Sequence, residues 1–376
     1  MITVKPKVSI VMASYNHELY VKEAILSVLN QTLQDFEIII TDDGSSDDTV
    51  KMIKEINDKK IILTIFLENQ GACSALNNSI KQARGKYIAV MNSDDVWVHN
   101  KLEKQVNFLE NNNEIDAVFS FAKFFNENLN EFVDNEKPYF SDIFKQHNRT
   151  SEKWLENFFF AGNCLCHPSI LIKAECYDIT GLYDNRFRQL PDFDMWVKFI
   201  KKFNLHIIEE ELVKFRIIGG YRNASSPSLP NQIRGRNELH IIYKNFFNNI
   251  SINLFKKIFK KHLINLNFKD EEFAIEQAFL YLKIEIHSII GIEMLYELLG
   301  NIVTKNILKE KYNFDEKDFM ELLAKRSSFT TQSSLISGQA IMDLLINKIS
   351  STGKLDLIKI LIKKLVNYIT KKIYKS

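Results

Sequence analysis

Short β-branched apolar runs alternate with helical stripes through the first hundred residues. Residues 8–13 (VSIVMA) are unbroken and apolar, the pattern of a strand buried on both faces. Over 18–30 the apolar positions Val21, Ile25, Val28 and Leu29 recur at helical spacing. Residues 36–41 (FEIIIT), 61–67 and 87–91 predict three more strands, and 72–83 a helix stopped by Gly85. Strand and helix alternating at this spacing predict βαβ units on a parallel sheet. Further on, 117–125, 169–173 and 205–208 predict strands, 195–202 a short helix, and the polar stretch 126–148 a mobile loop. Ser225-Ser226-Pro227-Ser228-Leu229-Pro230 is the clearest break. After it, Asn, Lys, Ile, Leu and Phe at helical spacing predict a helical domain. No internal repeat is visible.

Composition narrows the class. The chain has 376 residues, 45% hydrophobic and 26% charged, enough for a substantial core and too apolar for disorder. Four cysteines, Cys73, Cys164, Cys166 and Cys176, are too few for a disulfide framework and lack zinc-ribbon spacing, so reduced thiols are expected. A net charge of +2 gives no reason to expect nucleic acid. Residues 1–7 carry no apolar signal core, and no window reaches the ~18 apolar residues of a spanning helix. A cytoplasmic protein, at most resting on a membrane, is the expectation.

Two acidic clusters fall where predicted strands end, the edge at which open α/β sheets bind ligands. Asp42-Asp43-Gly44-Ser45 follows the second strand, where a carboxylate can take hydrogen bonds from a base or ribose, or simply cap the next helix with Asp47 and Thr49. Asn92-Ser93-Asp94-Asp95 follows the fourth. Adjacent carboxylates there make a hard oxygen site suited to Mg²⁺ or Mn²⁺ with positions left for phosphate, or else a solvated acidic turn. In Leu190-Pro191-Asp192-Phe193-Asp194-Met195-Trp196, one aspartate can serve as general base and the other as a helix cap.

The order and spacing of these pieces resemble the family-2 inverting glycosyltransferases over about residues 6–220. The resemblance is carried by Val8-Ser9-Ile10-Val11 to Ser14-Tyr15-Asn16, Ala24 to Gln31-Thr32 and the Asp42 to Thr49 run. Asn69-Gln70-Gly71, Gly85-Lys86-Tyr87-Ile88, Ser93-Asp94-Asp95, His167-Pro168-Ser169 and Asp192-Phe193-Asp194-Met195-Trp196 continue it. It implies an α/β GT-A fold: a Rossmann-like, mostly parallel central sheet flanked by helices, here with an added α-helical C-terminal domain. It implies a UDP-sugar donor and a divalent cation, Mn²⁺ or Mg²⁺. By resemblance, Ala13, Ser14, Tyr15, Asp43, Asn92, Ser93 and Asp94 bind the nucleotide sugar, Asp94 and Asp95 the metal, and Asp192 is the catalytic base. His167 and Asp194 fall on the acceptor side, His167 being otherwise a structural histidine, and Trp97, just after the acidic loop, either touches donor or acceptor there or packs in the core. The base would deprotonate an acceptor hydroxyl, and one displacement would invert an α-linked donor.

The chain departs from the family pattern at four places. Asn92 stands where Asp is usual, Leu76 where many members have Arg, Pro191 where many have Glu, and Ile218 where many have His. Whether Arg216, Arg222 or Arg234 substitutes for the missing contact is left open by sequence. The Q-x-x-R-W motif of processive synthases is absent. Residues 354–376 (KLDLIKILIKKLVNYITKKIYKS) set Lys359, Lys363 and Lys371 opposite Leu355, Ile358, Ile362, Leu365, Ile369 and Ile373. That pattern fits an interfacial helix on an anionic membrane, a packed surface helix, or a contact in a homo-oligomer.

The expected organisation is a GT-A domain over 1–230, its first 95 residues binding the nucleotide sugar and 96–230 facing the acceptor. A helical domain over 231–353 and the basic amphipathic helix 354–376 follow. The expected activity is transfer of one sugar to a glycan or lipid-linked glycan, peripherally at the cytoplasmic face of the inner membrane. A non-catalytic nucleotide-sugar-binding protein and a nucleotidyltransferase are the alternatives.

Overall fold

The computed structural model describes residues 5–132, 142–219, 226 and 228–325. The segment 354–376, Arg222 and residues 133–141 of the polar loop lie outside them. The first half is a run of βα units: β1 (Val8–Ser14), α1 (Val21–Leu29), β2 (Phe36–Asp42), α2 (Thr49–Ile56), β3 (Ile61–Ile65), α3 (Ala72–Gln82) and β4 (Tyr87–Asn92). β1 lies parallel between β2 and β4, with Val8 beside Phe36 and Tyr87. Its burial explains the unbroken apolar run, since both faces are covered. Ile10 and Met12 pack with Val21, Ala24, Ile25 and Val28 of α1 in one core cluster. Each such side chain contributes about 1.5–3 kcal/mol by leaving water.

Register then decides function. Ser14 pairs with Asp42 and Ala13 with Asn92, so the carboxyl ends of three strands finish together and their loops converge. Two glycines let the backbone come close enough. A Cβ on Gly85 would sit 2.5 Å from Ser9 N, and one on Gly44 (φ +74°) 2.8 Å from Glu68 C. Beside Gly85, the buried Glu37 carboxylate takes the Ser9 hydroxyl at 2.6 Å and the Arg84 amide at 3.0 Å, and it pairs with the Arg84 guanidinium.

The second half brings β5 (Val96–Trp97), α4 (Lys101–Asn111), β6 (Ala117–Phe125), α5 (Ser151–Ala161), β7 (Leu171–Lys173), α6 (Cys176–Thr180), α7 (Pro191–Ile200) and β8 (Leu205–Arg216). The eight strands run β3-β2-β1-β4-β7-β6-β8-β5. β7 is antiparallel to both β4 and β6, and β5 to β8, so the sheet is mixed beyond its parallel half. The four cysteines are free and buried.

By contact the chain divides into two compact units, 1–276 and 277–376. Helices α8 (Leu229–Lys244) and α9 (Ile252–Phe259) thus belong to the first, past the sequence break near 230. The Tyr243 hydroxyl donates to Phe158 O at 2.6 Å, and Phe159 packs on Phe246, Phe247 and Phe259. Helix α10 (Phe273–Tyr281) spans the boundary. The described part of the second unit holds α11 (Ser288–Gly300), α12 (Ile302–Tyr312) and α13 (Glu316–Lys325). Among the described residues no single helix is long and apolar enough to cross a membrane.

Candidate active site

A cleft of about 1700 Å³ opens over the carboxyl ends of β1, β2 and β4 and runs to the start of α7. Ala13, Ser14, Tyr15, Asp43, Asn92, Ser93, Asp94, His167, Asp192 and Asp194 all line it. Sequence reasoning therefore brought most of its candidates to one place.

On the β1–β2 side the carboxylates first organise the chain. Asp42 takes the Ser14 hydroxyl and the Ser45 hydroxyl, each at 2.7 Å, and the Ser45 amide at 2.8 Å. Asp43 accepts the Gln70 amide at 2.7 Å and the Gly71 amide at 3.0 Å, tying the loop before α3 to the end of β2. Burial pushes the Asp43 carboxyl up from its ordinary range. Tyr15 stands 43% exposed over the cleft mouth.

The adjacent aspartates after β4 do different things. Asp94 lines the cleft. Asp95, 1% exposed, turns inward: it accepts the Arg216 amide at 2.8 Å and the Asn92 side-chain amide at 2.9 Å. Burial, and then the neighbouring Asp94 charge, raise its carboxyl well above the usual range. The expectation that both aspartates face a metal is corrected here, because Asp95 does not line the cleft. Arg216 is likewise committed. It is 3% exposed, donates to Asp94 O at 2.7 Å and to Glu127 O, pairs with Glu23, and stacks on Tyr20 at 4.9 Å. It clamps the acidic loop from β8 and is no cleft cation. Arg234 does line the cleft, with Asn231 as partner at 3.1 Å.

Across the cleft, Pro191 opens α7 and sets Asp192 in its first turn. Asp192 accepts the Asn163 amide at 2.7 Å and the Phe193 N–H at 2.8 Å. Burial outweighs both hydrogen bonds and lifts its carboxyl to about 6. Asp194, also on this turn, pairs with Lys198 one turn on. His167 shares a hydrogen bond with the Tyr183 hydroxyl at 2.9 Å, and burial lowers it to about 4, so it is neutral at pH 7. Trp97 is corrected: it is 3% exposed, lies in the core under Lys101, and its indole N–H fixes Pro168 O at 3.1 Å. Its contribution is to seat the turn that carries His167.

Three residues were missed. Glu238 of α8 is buried and holds the amides of Arg188, Gln189 and Leu190, each at 2.8 Å, just ahead of Asp192. Tyr183 orients His167. His17, in the loop after β1, joins that loop to Ser93 at 2.8 Å. Each acts through a partner distant in sequence, and only His17, beside the Ser14-Tyr15-Asn16 motif, carried a local hint.

Among the described residues no three His, Cys, Asp or Glu side chains converge as a cage for metal. The donors at the cleft still suit a hard cation that keeps most positions for phosphate and water. Asp94 supplies a carboxylate, and Asn92, whose amide nitrogen is spent on Asp95, has its carbonyl oxygen left.

A family model described as glycosyl transferase family 2 matches residues 9–174. An uncharacterized glycosyltransferase of Methanocaldococcus jannaschii is 38% identical over 221 residues, spanning 57% of this chain and 71% of the relative. WfgD of Escherichia coli, a UDP-Glc:alpha-D-GlcNAc-diphosphoundecaprenol beta-1,3-glucosyltransferase, is 37% identical over 140 residues, 37% of this chain and 55% of its own length. The 1–349 segment of S. aureus TarS, in complex with UDP-GlcNAc, aligns with a TM-score of 0.54 at 15% identity, over 82% of this chain and 91% of that one. That likeness shows a shared GT-A fold.

Proposed function

The chain belongs to glycosyl transferase family 2, and from that premise we propose that it transfers one sugar from a UDP-sugar to a hydroxyl of a glycan acceptor, with inversion. The observation that carries this reading is one cleft lined by both Asp94 and Asp192, the latter held by Asn163. Asp192 takes the proton of the acceptor hydroxyl. The freed oxygen attacks the anomeric carbon from the face opposite the diphosphate. The bond from that carbon to the diphosphate oxygen breaks, and its electron pair leaves with UDP. A carboxyl held near 6 is ionised at neutral pH yet more basic than a surface aspartate, which suits a general base.

Asp94 and the Asn92 carbonyl would hold Mg²⁺ or Mn²⁺. When bound, the cation neutralises charge on the departing diphosphate. Ser14, Tyr15 and Asp43 face the nucleotide. His167, neutral and held by Tyr183, and Asp194, paired with Lys198, stand on the acceptor wall. The donor and acceptor in WfgD's name support a UDP-sugar and a lipid-diphosphate-linked glycan for this chain. The basic amphipathic segment 354–376 fits attachment at the cytoplasmic face of the inner membrane.

The test is UDP release by the full chain from a panel of UDP-sugars, with Mn²⁺ and with EDTA, with and without a lipid-linked glycan. Metal-dependent release from one donor supports the reading. Pyrophosphate release from a nucleoside triphosphate, or UDP binding with no turnover on any donor and acceptor, overturns it.

A further inference from the structure

His17 has no part in the chemistry described so far. Asn16, at φ 50°, turns the chain so that the His17 amide donates to Thr49 Oγ1 at 2.7 Å. The imidazole meets Tyr20 edge-on, with centroids 6.0 Å apart, and its Nδ1 lies 2.8 Å from Ser93 Oγ. The ring is thus fixed between the loop after β1 and the acidic loop, one residue from Asp94, and it lines the cleft. Nδ1 is spent on Ser93. Nε2 has no hydrogen-bond partner among the described residues.

The cleft's other basic side chains, Arg186, Arg188, Lys198, Lys201, Lys202 and Arg234, come from the segments around α7 and α8, and the β1–β4 segments supply little positive charge. The cleft-lining residues from Ala13 to Asp94 include acids, amides, hydroxyls and apolar groups, and among the described residues His17 is their only basic side chain. Leu76 and Ile218, which also line the cleft, are apolar, and Arg216 is engaged with Glu23, Glu127 and the Asp94 carbonyl. A diphosphate beside Asp94 needs donors that a cation alone does not supply.

We propose that His17 is a diphosphate-binding residue, its Nε2–H donating to a phosphate oxygen of the bound UDP-sugar. The inference rests on the UDP-sugar reading above. The Nε2 donor belongs to the tautomer in which the Ser93 hydroxyl donates to Nδ1, and to the protonated ring. As the bond from diphosphate to the anomeric carbon breaks, charge grows on those oxygens, and a fixed donor stabilises it.

Ligand-observed NMR titrations of UDP and of uridine into the full chain, with Mg²⁺ present, test this. In His17→Asn the amide nitrogen falls near the position of Nδ1, so the link to Ser93 can persist while Nε2 is lost. The expected result is about a tenfold higher Kd for UDP, the loss of one charge-assisted hydrogen bond, with uridine unchanged. His17→Gln, which reaches toward the Nε2 position, should recover part of that loss. An unchanged UDP Kd in His17→Asn overturns the inference, and so does an equal loss for UDP and uridine, which would assign His17 to loop structure. If the wild-type chain binds no UDP, the UDP-sugar reading fails with it. Wild-type binding with an unaffected variant sinks this inference alone.

Discussion

Glu238 holds Leu190. One oxygen of its buried carboxylate accepts the Leu190 amide at 2.8 Å, and the two oxygens together engage three successive N–H groups, from Arg188 to Leu190. Leu190 is the N-cap of α7, two residues before Asp192, and Pro191 between them has no N–H to give. The position of the base is therefore set from α8, across the chain. Glu238→Ala leaves three amides without this acceptor and should cost about 3 kcal/mol of stability by urea denaturation. In Glu238→Gln one carbonyl oxygen remains as acceptor while the new N–H₂ faces at least one amide donor, so only part of the stability should return and kcat should stay reduced. Full activity in the Gln variant would remove Glu238 from any role in placing the base.

Asp192→Asn keeps the shape of the turn and removes the proton acceptor. Turnover should fall by about a hundredfold or more, with UDP affinity unchanged. The pH profile follows from the direction of the shift. Burial raises the carboxyl to about 6, and the base works only when ionised, so kcat/KM should drop about tenfold per pH unit below 6 and level off above it. The groups facing it bear on the same limb. The Asn163 amide and Phe193 N–H favour the ionised form, whereas the Glu238 charge opposes it. Asn163→Ala should therefore move the acid limb upward. A limb left in place by that change would argue against Asp192 as its source.

The parallel half of the fold was legible because strands covered on both faces read as unbroken apolar runs. The far half was less so, for local reasons. Exposed Glu209, Glu210 and Glu211 interrupt β8, so sequence ended it at residue 208, although it continues to Arg216. The sequence pattern predicts this helix only from residue 195, because the first turn of α7, with Asp192 and Asp194, is polar where it meets the cleft. Adjacent aspartates cannot be told apart by type, and only the clamp by Arg216 reveals that Asp95 turns inward. Trp97 stays open between cleft and core in the sequence, because a tryptophan after an acidic loop reads the same whether it faces a sugar or the core.

The segment 354–376 carries its own expectation. At helical spacing its sequence sets three lysines, Lys359, Lys363 and Lys371, opposite the aliphatic positions, and each basic residue near an anionic surface contributes about 1 kcal/mol. The full chain should sediment with phosphatidylglycerol vesicles about a hundredfold more strongly than with phosphatidylcholine vesicles. The preference should shrink with salt and disappear on deletion of 354–376. Equal binding to both vesicle types would leave the basic face without a membrane role.

Asp94 and Asp95 offer the sharpest contrast, because they are neighbours with opposite surroundings. Asp94 lines the cleft and is less deeply buried than Asp95, so, compared with Asp95→Asn, Asp94→Asn should cost less stability. Its UDP Kd should rise about tenfold in Mn²⁺ and hardly change in EDTA, since the lost charge matters through the cation. Asp95 is fixed by two donors, the Arg216 N–H and the Asn92 amide. An asparagine there turns its own N–H₂ toward one of them, and a buried donor against a donor is costly. Asp95→Asn should therefore lose about 2–3 kcal/mol in denaturant melts and weaken UDP binding with or without metal, because the whole acidic loop is released. Were the two variants alike, with metal-dependent loss of UDP and intact stability in both, Asp95 would count with Asp94 as a direct ligand.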